Sequence, residues 1–129
     1  MSGDAHLQIG EVAARTELSI ATVRHYDEVG LVTPSARSTG GFRLYTDADV
    51  ERLLVIRRMK PLGFSLVDMK DLLDSLQILN GAGASPKQRS DAARYLQDCR
   101  LKAQESAATL RKQLAYAEEL IGLLSARRE

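Results

Sequence analysis

From Leu7 to Arg15 the apolar residues Ile9, Val12 and Ala13 recur at helical spacing and share one face. Thr16-Glu17-Leu18 breaks the pattern, and a second short helix begins at Ser19, whose hydroxyl can accept from an orphan N–H of the first turn. In it Ile20, Val23, Tyr26 and Asp27 lie at helical spacing, and Gly30 supplies a left-handed stop. Pro34 ends further helix, and Ser38-Thr39-Gly40-Gly41 is turn chemistry between two short extended arms. Two helices across a short break, followed by an arginine-tipped hairpin, predict a winged helix-turn-helix.

Thr46 then caps a third helix, with Asp49 at the capping-box position. Val50, Leu53 and Leu54 lie on its apolar side and Arg57 and Arg58 on the other. Pro61 lacks the N–H for a bond back to Arg57, so this helix should end or bend near Met59–Leu62, with Gly63 as the stop. Ser65 caps a fourth helix to about Leu79, again with an acid, Asp68, at the box position. Its Leu66, Met69, Leu72, Leu73 and Leu76 recur at helical spacing and are expected in the core.

Asn80 to Pro86 contains two glycines and a proline and reads as a flexible joint. Lys87 to Arg127, with Gly122 its one glycine and no proline, predicts a single long helix. Leu96, Ala103, Leu110, Ala117 and Leu124 repeat every seven residues, and Ala107, Leu114 and Ile121 follow three of them by four. Such a seam cannot bury itself, and a second copy of the chain is the simplest partner. The expected organisation is a head over 1–79, a linker over 80–86 and a dimerisation helix over 87–129, with no third region.

Composition adds exclusions. The chain of 129 residues is 44% hydrophobic and 27% charged, which is ordinary globular usage. The longest apolar run, Leu53–Ile56, is far too short to span a bilayer, and Met1–His6 has no apolar secretory core. The single cysteine, Cys99, forbids an intramolecular disulfide and suits a reducing, cytoplasmic setting. Net charge is only +1, and Met1–Leu76 carries nine Lys/Arg against eleven Asp/Glu. A cationic face must therefore come from placement, with Arg15, Arg24, Arg37 and Arg43 in or beside the opening motif, and weak non-specific DNA affinity is expected.

Several linked motifs then coincide: I-G-E-V-A at Ile9–Ala13, S-I-A-T-V-R-H-Y-D-E-V-G-L at Ser19–Leu31, Pro34, Arg37, G-F-R-L-Y at Gly41–Tyr45 and L-G-F-S-L at Leu62–Leu66. Together they resemble the MerR family of bacterial transcription regulators over about Leu7–Leu76. The resemblance implies a mainly α fold: a winged helix-turn-helix head with a small β-wing, then a long C-terminal helix forming an antiparallel coiled-coil dimer. It also implies a homodimer on a palindromic promoter in double-stranded DNA. Such regulators distort an overlong spacer so that RNA polymerase engages both promoter elements, which is control through DNA shape. Glu17 stands where the family often has glycine, and a left-handed backbone there would cost about 1 kcal/mol. An aromatic is common at the position of His25, and Pro61 is unusual in its helix.

Thr22, Arg24 and His25 lie on the outward face of the second helix and are assigned to the major groove. Tyr26 is assigned to a phosphate, the alternative being core filling beneath the helix. Arg37 and Arg43 flank the wing turn, within reach of phosphates or the minor groove. Tyr45 resembles the family's wing tyrosine, with packing on the third helix as its alternative, and Phe42 is expected in the wing core, the alternative being a base wedge. Arg57, Arg58 and Lys60 read as a solvated basic face. The dimerisation set is Leu96, Ala103, Leu110, Leu114, Ala117, Ile121 and Leu124.

Metal-sensing relatives use several cysteines, commonly in a loop after the dimerisation helix, so a lone Cys99 implies no metal and no cofactor. Cys99 is expected as a small apolar residue of the seam, the alternative being a redox thiol. Any small-molecule effector would sit between the long helix and the linker. The rival from another class is an architectural or excisionase-like DNA-binding protein without promoter remodelling. An enzyme is disfavoured, because His6 and His25 are the only histidines and neither belongs to a nucleophile or metal pattern.

Overall fold

Leu7 and Gln8 form a strand, β1, rather than the first turn of the first helix. The computed structural model describes residues 6–127. Met1–Ala5, most of the segment read as lacking a secretory core, and Arg128–Glu129 lie outside the described residues. After β1 come α1 (Ile9–Thr16), α2 (Ile20–Glu28), β2 (Ala36–Arg37), β3 (Arg43–Tyr45) and α3 (Asp47–Met59). A 3₁₀ turn (Lys60–Leu62), α4 (Leu66–Asn80) and α5 (Pro86–Ser125) complete a mainly helical chain with one small sheet. Among the described residues no helix is long and apolar enough to cross a membrane.

The chain divides after Asp74, within α4, into two compact units. In the first, β2 and β3 form the expected hairpin, Arg37 opposite Arg43. The turn closes where the Gly41 N–H donates to the Ser38 carbonyl at 2.8 Å, and Ser38 Oγ accepts from the Phe42 N–H at 3.1 Å. β1 adds to the other side of β3, pairing Leu7 with Tyr45. Leu7, Val12, Val23, Tyr26, Tyr45, Val50, Leu53 and Ile56 fill the core beneath sheet and helices. Ile56 rather than Leu54 takes the inward place on α3, one turn beyond Leu53.

Local chemistry sets the ends of these elements. Ser19 Oγ accepts from the Thr22 N–H at 3.0 Å, and Gly30, at φ 75°, lets the Leu31 and Val32 N–H groups turn back onto the Tyr26 carbonyl. Thr46 and Asp49 make the expected capping box on α3. The Asp49 carboxylate, nearly fully buried, also accepts from Ser35 Oγ at 2.6 Å and from Arg52 at 2.8 Å. Its charge is thus offset as burial requires. Pro61 sits in the 3₁₀ turn and Gly63 ends it, where the bend was expected. Ser65 and Asp68 box the start of α4. On α4 Met69 and Leu73 are buried and Leu72 and Leu76 half-buried, but Leu66 is exposed because it sits in the first turn, ahead of the covered face.

Glu17 is the one non-glycine residue at positive φ among the described residues, at φ 58° and ψ 33°. The left-handed backbone at the helix-turn-helix break is therefore real. Arg57 of α3 reaches into this turn: one guanidinium nitrogen donates to the Thr16 carbonyl at 2.9 Å and to the Glu17 carboxylate at 3.0 Å. Arg57 is thus a brace on the turn and not part of a free basic face. Thr16, fully buried, returns its hydroxyl to the Val12 carbonyl at 2.8 Å, so the end of α1 keeps its acceptors occupied. Glu17→Gly should stabilise the chain by about 0.5 kcal/mol, since relief at the turn exceeds the extra chain entropy of glycine. Glu17→Val should cost about 1 kcal/mol, because a β-branched side chain tolerates this backbone poorly. Denaturation midpoints for the pair test this, and equal values would remove strain from the account.

In the second unit Ser85 Oγ accepts from the Gln88 N–H at 3.1 Å and Gln88 Oε1 from the Ser85 N–H at 2.8 Å, a capping box on α5 with Pro86 in the first turn. The Arg89 guanidinium donates to the carbonyls of Ile78, Leu79 and Gly81 at 3.1–3.2 Å. These are the orphan acceptors at the end of α4, so the glycine-containing joint is braced across both of its ends. Ala92 and Cys99 are buried within the single chain, and Leu96, Ala103 and Ala107 are half-buried. From Ala108 to Arg127 every residue is exposed.

Candidate nucleic-acid interface

The outward face of α2 carries the residues expected to read DNA. Arg24 and His25 are exposed, and Arg24 makes no hydrogen bond or ion pair among the described residues. Thr22 is half-buried and its hydroxyl accepts from Ser19 Oγ at 2.8 Å, so it doubles as part of the helix cap. The His25 ring lies 5.9 Å from that of Tyr26, tilted by 46°. Tyr26 itself is 3% exposed and fills the core under α2, which is the alternative kept open for it.

Asp27 joins this helix to the wing. Its carboxylate, only 11% exposed, accepts from Arg43 Nε at 2.6 Å and from an Arg37 guanidinium nitrogen at 3.2 Å. Arg37 also reaches the Gly41 carbonyl at 3.4 Å, inside the wing turn. Both arginines assigned to the backbone of a duplex are thus aligned by an acid on the neighbouring helix. The hydrogen bond to Asp27 is the leading reason that the Arg43 pKa rises above its ordinary value. Sequence reasoning placed Asp27 on a helical face with Val23 and Tyr26 without giving it a role. An acid on an otherwise apolar face, followed by two arginines in a hairpin, was the available signal.

Two wing residues depart from expectation. Phe42 is 70% exposed, because the ladder starts only at Arg43 and so short a wing has no second layer over its tip. Tyr45 is fully buried and its hydroxyl has no hydrogen-bond partner among the described residues. That places Tyr45 below the surface a duplex would meet, packed in the core of the first unit. Burial is the main reason that its pKa is raised. The unfolded phenol ionises near its ordinary value of 10.0, whereas the folded one stays neutral to higher pH. Stability present below about pH 10 is therefore lost as pH climbs from there through the folded value. Tyr45→Phe should leave DNA affinity unchanged, change stability by less than about 1 kcal/mol and lessen the alkaline loss. Weaker DNA binding by that variant would return the hydroxyl to the interface.

Elsewhere in the first unit Arg15 pairs with Glu11 at 3.2 Å and Asp47 at 3.4 Å. Arg58 and Lys60, like Arg24, have no acidic partner among the described residues. Also among the described residues, no group of three or more His, Cys, Asp or Glu side chains could hold a metal ion. Residues 7–76, which hold α1, α2, the wing and α3, match the family model described as MerR HTH family regulatory protein. The chain belongs to this family. Membership in a family of regulatory proteins sets the enzyme reading aside.

Similarity to individual members is strongest in the same region. The transcriptional activator mta of Bacillus subtilis is 46% identical over 67 residues, 52% of this chain but 26% of that protein. The heavy metal-dependent transcription regulator 2 of Rhizobium meliloti is 30% identical over 114 residues, 88% of this chain and 69% of that protein. Among solved structures, the N-terminal part of the Bacillus subtilis multidrug transporter activator is 33% identical with a TM-score of 0.50, covering 84% of this chain and 97% of that one. The matched stretch therefore spans about a quarter of the mta activator.

Proposed function

We propose that this chain is a homodimeric DNA-binding regulator of transcription, acting in the cytoplasm on a palindromic promoter in double-stranded DNA. The observation that carries the reading is the Asp27 clamp. It fixes the wing arginines Arg37 and Arg43 beside a helix whose Arg24 and His25 are exposed, Arg24 with no hydrogen bond or ion pair among the described residues. α2 enters the major groove, where Arg24 and His25, with Thr22 at the helix start, meet base edges and phosphates. The wing lies on the flanking backbone, and Tyr26 and Tyr45 shape this surface from beneath. The Phe42 ring at the wing tip is available to the minor groove.

Dimerisation through α5 sets the spacing of the two heads, from the seam Leu96, Ala103, Leu110, Leu114, Ala117, Ile121 and Leu124. Only Leu110 onward is fully uncovered in a single chain, so that stretch is the part a second copy takes up. Two heads on one rigid rod can bend and untwist the spacer between promoter elements, and RNA polymerase reads the changed shape. The effector is not a metal. This rests on the lone Cys99, which lies buried, where it has little access to a ligand or oxidant. The similar Rhizobium protein is by name heavy metal-dependent, so metal salts belong among the compounds tested.

Selection of bound duplexes from a random pool, followed by footprinting and transcription from the selected site, tests the proposal. Expected are a symmetric footprint over an overlong promoter spacer and a transcription change in vitro. Protection without any effect on transcription would favour the architectural reading, and no sequence-specific protection would end the regulator reading.

A further inference from the structure

The dimer just proposed, antiparallel as the resemblance implies, does not by itself say which residues of α5 meet, but the exposed half of that helix does. Every position from Ala108 to Arg127 is uncovered, including Leu110 at 51%, Leu114 at 59%, Ile121 at 62% and Leu124 at 58%. Alternating steps of three and four place Ala107, Leu110, Leu114, Ala117, Ile121 and Leu124 in one seam. Arg111 and Glu118, each one residue after a seam position, line the same flank of it. We propose that two copies of α5 pair antiparallel about a twofold axis between Ala115 and Tyr116, the register that sets Arg111 of each copy against Glu118 of the other.

In this register Ala107 packs on the partner's Leu124, Leu110 on the partner's Ile121 and Leu114 on the partner's Ala117, and the axis repeats each layer. Every small residue faces a large one, which fills the seam without voids or overlap. One flank carries the opposite-charge pair twice, and Leu120 spreads the apolar surface onto the other edge beside the partner's Gln113. Sliding one heptad toward the start of the helix sets Arg111 on the partner's Arg111, opposes Ala107 to Ala117 and buries Arg100 against Leu124. Sliding the other way sets Glu118 on the partner's Glu118. A parallel pair stacks Ala107 and Ala117 on themselves and leaves Arg111 beside Ser106 and Glu118 beside Gln113. Volume and charge thus select the same arrangement, while like charges exclude its neighbours.

The exposure of every residue from Ala108 to Arg127 agrees with this, because that stretch holds the part of the seam that the axis bisects. The inference rests on the homodimer reading, and the test separates the two. In a Cys99→Ala background, Arg111→Cys chains and Glu118→Cys chains are treated with a short bis-maleimide, alone and after mixing to allow exchange of subunits. Covalent dimers are expected only in the mixture, each holding one chain of either kind. Crosslinking of Arg111→Cys alone, of Glu118→Cys alone, or of neither mixture nor singles while sedimentation still reports a dimer would overturn the register. A monomer by sedimentation would overturn the dimer itself and the register with it. Charge reversal gives an independent readout: Arg111→Glu should weaken the dimer about tenfold, and adding Glu118→Arg should restore it to within about threefold.

Discussion

Leu110→Asp is expected to leave a folded monomer. In a single chain Leu110 is half exposed on a helix that runs forty residues from Pro86 to Ser125, so a carboxylate there keeps its water and costs the monomer little. In the proposed dimer Leu110 faces the partner's Ile121, and the twofold axis creates that layer twice. Two carboxylates would then lose water with no cation in reach, each costing several kcal/mol. The dissociation constant should rise at least about a thousandfold. Sedimentation equilibrium reads the mass, and an unchanged far-ultraviolet spectrum certifies the helix. Leu101→Asp is the control: Leu101 is 48% exposed but lies off the seam, so that variant should remain dimeric. A dimeric Leu110→Asp protein would remove the α5 seam from the interface. Operator affinity should fall together with the dimer, because each head would then bind its half-site without the help of the other.

What was legible in the sequence was what neighbouring residues decide among themselves. Ser19, Thr46 and Ser65 each cap a helix within three residues of their own position, and Pro61 with Gly63 interrupts one locally. The boundaries of α2, α3 and α4 followed from that chemistry. The long α5 was readable for the same reason, although its cap, Ser85 with Gln88, begins inside the stretch read as a flexible joint. β1 was not legible: two residues carry no period, and the partner that makes Leu7 a strand is Tyr45.

The candidate interface divides the same way. Arg24 and His25 face outward because α2 is a helix with a buried face through Val23 and Tyr26, and spacing alone gives that. What Arg37 and Arg43 do depends on Asp27, which pairs with them across sixteen residues or fewer only once the hairpin has formed. Arg57 likewise looked solvated until α3 came to lie against the turn holding Glu17. In each case a charged side chain was assigned to solvent or DNA while its nearest counter-charge lay on another element. The small net charge of the head is the trace of that in the sequence: its acids are largely occupied in aligning its bases.

Asp27→Ala should separate specific from non-specific DNA binding. Removing the carboxylate leaves the Arg43 guanidinium, 23% exposed, without its 2.6 Å acceptor and frees Arg37 from α2. Loss of a charge-assisted bond at a mostly buried site should cost about 2 kcal/mol of stability. The electrostatic consequence has the opposite sign for random DNA. One negative charge leaves the surface that faces phosphate, and two arginines lose their intramolecular partner. Non-specific affinity should therefore rise and its salt dependence steepen. At the operator the wing must stand at a fixed angle to α2 for both to be seated at once, and a loosened wing gives up that preorganisation. Specific affinity should drop about tenfold, so the ratio of specific to non-specific binding narrows from both ends. Asp27→Asn keeps an acceptor for Arg43 Nε and should fall between the two in stability while sharing the gain on random DNA. Titrations of operator and scrambled duplexes at several salt concentrations give all of these quantities. If Asp27→Ala weakened both duplexes in proportion, the wing arginines would owe their position to something other than Asp27.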